Sequence, residues 1–182
     1  MSVWPEAPRH AGFTLIELIV VLAIIGVVMA LGVPSYREWM LNLQIRGATE
    51  ATLNGLQLAR GEAVRRNASV EFVLDTGGGA GGAWEVRLPA PAGTVIQKRD
   101  KSGVSPDVVV NAGGATTVTF GGIGRVVPNA DASATMTQVD FDLPPAVLPA
   151  PKTRDLRVMV GAGGDVRMCD PNVSAGDPRE CP

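Results

Sequence analysis

The sequence predicts an α+β fold, with one long amino-terminal helix packed on an antiparallel β-sheet, and three features carry that prediction. An apolar run, Phe13 to Val33, follows a short polar stretch at the start of the chain. A helical pattern with a narrow apolar stripe continues from it to about residue 66. Beyond that point, short alternating segments separated by glycine, proline and aspartate read as half-buried strands joined by turns.

A chain of 182 residues suits one globular domain plus an appendage. Its formal charge of −2 gives no global bias toward nucleic acid. Glycine and proline are plentiful (22 and 14) and aromatics are few, as expected for many turns and short strands.

Residues 1–12, "MSVWPEAPRHAG", are polar and broken by prolines, with Arg9 and His10 beside the apolar run. They give a weak positive-inside signal, weakened further by Glu6. Phe13 to Val33 is long enough as a helix to rise about 31 Å, close to the hydrocarbon thickness of a bilayer. A cleaved secretory signal with Ala30-Leu31-Gly32 as its processing site is the alternative. The length of the run, the acidic Glu17 within it and the helical pattern beyond it all favour a membrane span. Glu17 is the anomaly, because an acidic residue at a span centre costs about 2.5–3.5 kcal/mol.

Pro34 closes the span and is expected to kink the helix. Tyr36, Arg37 and Trp39 are residue types that anchor a membrane interface. Ile45, Ala48, Thr52, Leu56, Ala59 and Ala63 then follow steps of three and four, with most charges off that stripe. Asn67 is expected to cap the carboxyl end. Strands are expected at "SVEFVL", "WEVRL", "TVTF", "VDFDL" and "LRVMV", with "GAGG" (161–164) turning the last into "DVRMC". The domain boundaries read as a leader (1–12), a transmembrane helix (13–34), the remainder of the helix (35–67) and a β-rich domain (68–182).

Cys169 and Cys181 are the only cysteines. They lack the C-x-x-C spacing of common metal and redox sites and flank a polar loop, so a disulfide in an oxidising compartment is the preferred reading. The membrane topology then places residues 35–182 outside the cytoplasm. His10 is the only histidine, so the usual histidine-based nucleophilic sites are not expected after the leader is removed. Neither a metal nor another cofactor is expected, and an enzyme is the weakest functional class. "DTGGGAGGA" (75–83) has no Gly-Lys-Ser/Thr ending and reads as a hairpin loop. Asp140 and Asp142 share a strand face that reads as solvated rather than calcium-binding, and "QKRDK" (97–101) reads as a solvated turn.

"GFTLIELIVVLAIIG" resembles the amino-terminal signature of type IV pilins and type II secretion pseudopilins. "GLQLARGEAVRRN" (55–67), "VTFGGIGRVVPNADAS" (118–133) and the ending "CDP…GDPREC" narrow the resemblance to the GspH/FimT group of minor subunits. The resemblance implies a type IV pilin-like fold and cleavage between Gly12 and Phe13 by a prepilin peptidase, with N-methylation of Phe13. It also gives Glu17 a role: neutralising the new amine of Phe13 on its own or a neighbouring subunit during assembly.

The implied partners are the peptidase, other minor and major pilins or pseudopilins, an inner-membrane assembly platform and membrane lipid. The implied location is the bacterial inner membrane, spanned once, with the carboxy-terminal domain in the periplasm and the subunit built into a periplasmic or surface filament. A minor pilin of a type IV pilus is preferred, with a type II secretion pseudopilin acting in exoprotein export as the alternative. A DNA-binding subunit for DNA uptake is disfavoured, because Lys152, Arg154, Arg157, Arg167 and Arg179 are matched in number by nearby carboxylates and phosphate binding needs an uncompensated positive face.

Overall fold

The computed structural model describes residues 12–76, 82–103 and 105–182. It divides into two compact units, residues 1–39 and 40–182. The helix α1 (Leu15–Arg66) contributes to both and continues through Pro34 without interruption. In the first unit every residue from Gly12 to Arg37 is exposed, and this part of α1 is long and apolar enough to cross a membrane.

Among the described residues, the second unit contains the remainder of α1 and nine strands. They are β1 (Val70–Asp75), β2 (Ala83–Arg87), β3 (Val95–Arg99), β4 (Val109–Asn111), β5 (Thr117–Phe120), β6 (Val126–Val127), β7 (Gln138–Asp142), β8 (Leu156–Val160) and β9 (Val166–Cys169). The single expected sheet is in fact two antiparallel sheets, ordered β3-β2-β1-β5-β6 and β4-β7-β8-β9. The sequence marks strands but not where one sheet ends and the next begins.

Here α1 buries Leu41, Ile45, Ala48, Thr49, Thr52, Gly55, Leu56, Ala59 and Ala63. They share one core with Phe72, Trp84, Val86, Val118 and Phe120 from the first sheet and Val110, Val139, Phe141 and Val158 from the second. Small residues on the stripe let large rings approach the helix closely. At Gly55 an added Cβ would lie 2.8 Å from ring atoms of both Phe72 and Trp84, and the two rings pack tilted with centroids 5.7 Å apart. One turn earlier, at Thr52, the packing is less tight: a Cβ added at Gly82 would meet Phe141, Val110 and Thr52 at ordinary van der Waals distances.

The helix ends in a Schellman arrangement. Asn67 takes a left-handed conformation (φ 47°), its N–H reaches Val64 O and the Ala68 N–H reaches Ala63 O. The turn after β5 is fitted against this end. Gly122 lies against Asn67 with no room for a Cβ, while Gly124 (φ 77°) sits against Val64 and accepts a hydrogen bond from Arg60 Nε at 3.1 Å. Ile123, between them, is 77% exposed.

Two expectations about exposure are corrected. Strict alternation leaves Thr117 and Thr119 of β5 facing water, yet all four residues of β5 are buried. The loop after β6 covers them: Asn129 donates to Thr117 O and accepts from Thr119 Oγ1 at 2.8 Å. "QKRDK" is not simply a turn, since Gln97 to Arg99 belong to β3, whose two faces stay largely solvated because it is an edge strand. Of the expected loop 75–83, Asp75 and Ala83 pair at the ends of β1 and β2, and residues 77–81 lie outside the described residues.

At the carboxyl end Cys169 and Cys181 form a disulfide with Cα atoms 5.1 Å apart. Asp170 bridges to Glu180 within the loop this closes, and Arg179 pairs with Asp177 at 2.9 Å.

At Gly55, alanine gains about 1 kcal/mol of helix propensity but forces two rings apart, and overpacking of this kind costs about 1–3 kcal/mol. Gly55→Ala is therefore expected to lower stability and Gly55→Leu to lower it further. Gly61→Ala, on the same helix with open space around it, should raise stability by up to about 1 kcal/mol. Denaturant unfolding of the chain in detergent, followed by tryptophan fluorescence, measures all three. In the same assay, replacing both cysteines by serine should cost about 3 kcal/mol, the loop entropy of a short closed segment.

Candidate assembly site at the start of the helix

Thr14 and Glu17 define the beginning of α1. The Glu17 N–H donates to Thr14 Oγ1 at 3.2 Å, and the Thr14 N–H donates to Glu17 Oε2 at 3.5 Å. This reciprocal arrangement is a capping box, which satisfies two backbone donors that a helix start leaves unpaired. The T-x-x-E spacing of "TLIE" was a readable sign of it, so Thr14 is a residue of the site that the sequence reading overlooked. The positive end of the helix dipole adds to the pull on the carboxylate.

Phe13, immediately before the cap, is 88% exposed, and Gly12 has nothing within 4 Å of where a Cβ would be. Gly12 and Phe13 are thus placed together at an open, non-helical segment, one turn from Glu17. Glu17 Oε2 already reaches back to the amide of Thr14, the peptide nitrogen next after that of Phe13. His10, Arg9 and Glu6 lie outside the described residues.

Further along, the Tyr36 and Trp39 rings pack against each other with centroids 5.8 Å apart, and both remain more than half exposed. Cys169 and Cys181 belong to the second unit, where they close the terminal loop.

The basic residues of the carboxy-terminal region are partly neutralised by their own chain. Asp140 takes Arg157 through two hydrogen bonds, and Asp177 takes Arg179. Hydrogen bonding to Arg179 lowers the Asp177 pKa to about 2. Asp140 therefore faces a cation from its own sheet, and among the described residues no group of three or more His, Cys, Asp or Glu side chains is arranged to hold a metal.

Residues 48–164 match the family described as type II transport protein GspH, and residues 8–33 match the prokaryotic N-terminal methylation motif. Among solved structures, the type IV minor pilin FimU of Pseudomonas aeruginosa (strain PAO1) is similar at 15% identity, with a TM-score of 0.52 over 71% of this chain and 91% of that one. The minor pseudopilin EpsH from the type 2 secretion system of Vibrio cholerae matches at 14% identity, with a TM-score of 0.46 over 71% of this chain and 99% of that one. The likeness to FimU is one of fold, a long amino-terminal helix packed on antiparallel sheets. The match at residues 48–164 spans well over half of the sequence, from the buried stripe of α1 through β8, and the chain belongs to the GspH family.

Proposed function

We propose that this protein is a minor pilin-type subunit, anchored in the bacterial inner membrane by α1, which acts by co-assembling into or priming a type IV pilus. It carries out no turnover. The observation that supports this most is the coincidence of the methylation motif with an exposed Phe13 and a capped Glu17 one turn away. On this reading a prepilin peptidase cuts between Gly12 and Phe13 and methylates the new amine. Residues beyond the span face the periplasm, where the Cys169–Cys181 bridge persists. Its partners are other pilins and an inner-membrane assembly platform.

Glu17 then has two successive partners. In the isolated subunit its carboxylate caps the helix, and in the filament it neutralises a Phe13 amine. A carboxylate in lipid without a counter-charge is costly, so docking beside an amine is favoured over remaining alone. A second reading, a pseudopilin for exoprotein export, is supported by the family's description as a type II transport protein.

Glu17→Gln separates capping from charge, since glutamine retains the capping box but cannot neutralise an amine. The variant is expected to be processed, as read by the mass of its amino terminus, and inserted in the membrane, yet absent from sheared filaments. Its incorporation at the wild-type level would show that the charge is dispensable. Thr14→Val, which weakens the cap and leaves the charge, should still be incorporated. In a deletion strain, loss of surface pili with normal exoprotein release is the expected outcome. Retained pili with exoproteins trapped in the periplasm would assign the protein to secretion instead.

A further inference from the structure

The carboxyl end of α1 meets two turns, and together they form one end of the second unit. Gly122 and Gly124, between β5 and β6, lie against Asn67 and Val64, and Arg60 Nε donates to Gly124 O. Gly164, between β8 and β9, abuts the same Gly124 carbonyl with no room for a Cβ. The backbone here is closely packed, yet two large apolar side chains on it face water. Ile123 is 77% exposed, and Val64, which the Gly124 backbone touches, is 52% exposed.

The charge around these two side chains is mostly positive. Across residues 60–69, 121–125 and 161–165 four arginines, all exposed, stand against two carboxylates, Glu62 and Asp165. Glu62 takes Arg65 and Arg66 together, so one carboxylate is shared between two guanidinium groups. Arg60 donates to a carbonyl, a neutral acceptor that leaves its charge uncompensated. Arg125 forms no ion pair among the described residues.

An apolar centre rimmed by arginine has the make-up of a protein interface. A nucleic-acid strand would engage the guanidinium groups through its phosphates but would gain nothing from Ile123 and Val64. These three segments also offer no aromatic ring for a base to stack on. We propose that this end of the second unit is the docking surface for another subunit of the filament, whose facing surface is acidic and carries an apolar recess for Ile123. The proposal rests on the reading of this protein as a filament subunit and gives that reading a contact outside the membrane-spanning segment. Ile123 enters the recess while Arg125 and Arg60 meet the facing carboxylates. Because the turn is already held on three sides, docking orders side chains and leaves the backbone as it is. The arginines at the rim set the partner's charge and speed its approach.

The test places the photo-crosslinking residue benzoylphenylalanine at position 123 of the full chain, in the deletion strain. Cells are irradiated intact, and sheared filaments are collected. The label is expected to join a different filament subunit, at a peptide that mass spectrometry shows to combine Asp or Glu with apolar residues. Arg125→Glu, a change on a side chain with no partner in the fold, should lower the cross-linked fraction several-fold, and Arg125→Lys should largely retain it. The proposal alone is overturned if the chain is present in filaments but its label reaches no other subunit, reaches nucleic acid or lipid, or reaches a peptide without carboxylates. A cross-linked fraction unchanged by Arg125→Glu overturns it as well. Absence of the wild-type chain from filaments would instead sink the assembly reading, and this surface with it.

Discussion

The close approach of two aromatic rings to Gly55 is the constraint on which the domain depends. A helix surface is ordinarily too broad for Phe72 and Trp84 to lie against its backbone, and removing one side chain creates the space. Ala48, Ala59 and Ala63 extend the same shallow channel along α1. The first sheet can therefore place its largest side chains directly on the helix, while Phe141 of the second sheet joins the same core nearer Gly82. Much of the stability comes from area buried against this channel, since the stripe itself carries little apolar bulk beyond Leu41, Ile45 and Leu56.

The same helix works in two settings. Before Tyr36 it is apolar on every side and exposed throughout, whereas from Leu41 onward it is apolar along one stripe and that stripe is buried. These patterns were legible in the sequence because a run that is apolar all round and a single apolar stripe differ in periodicity. The inward faces of β1, β5, β7 and β8 were legible for a similar reason, since Val70, Phe72, Val118, Phe120, Val139, Phe141 and Val158 alternate and are all buried. The pairing of Cys169 with Cys181 was also readable, there being no other cysteine to choose.

What escaped the sequence depended on contacts between distant segments. β3 has little to bury and no alternation to show, because only one neighbour holds it. β6 is two residues long and is recognisable only through its pairing with β5. The outer face of β5 is dry because Asn129, two residues past β6, folds back over it with hydrogen bonds to Thr117 and Thr119 and is itself held by Ser133 and Ala134. Buried Glu71 is similar: a charged residue inside a strand reads as solvent-facing, yet it is covered and paired with Arg87 directly opposite. At the amino-terminal site the reverse holds, since Thr14 and Glu17 interact at a local spacing that the sequence displays in full.

The turn between β5 and β6 separates two kinds of mutational freedom. Its backbone is wedged among Asn67, Val64, Arg60 and Gly164, with no space for a side chain at Gly122 and little at Gly124. Ile123 between them points away from all of this and touches mainly water. Replacing either glycine disturbs the end of the helix, whereas the tip can carry almost any residue, a spectroscopic label included, without the fold registering it. The turn thus constrains its backbone tightly while leaving the chemical identity of one exposed side chain open.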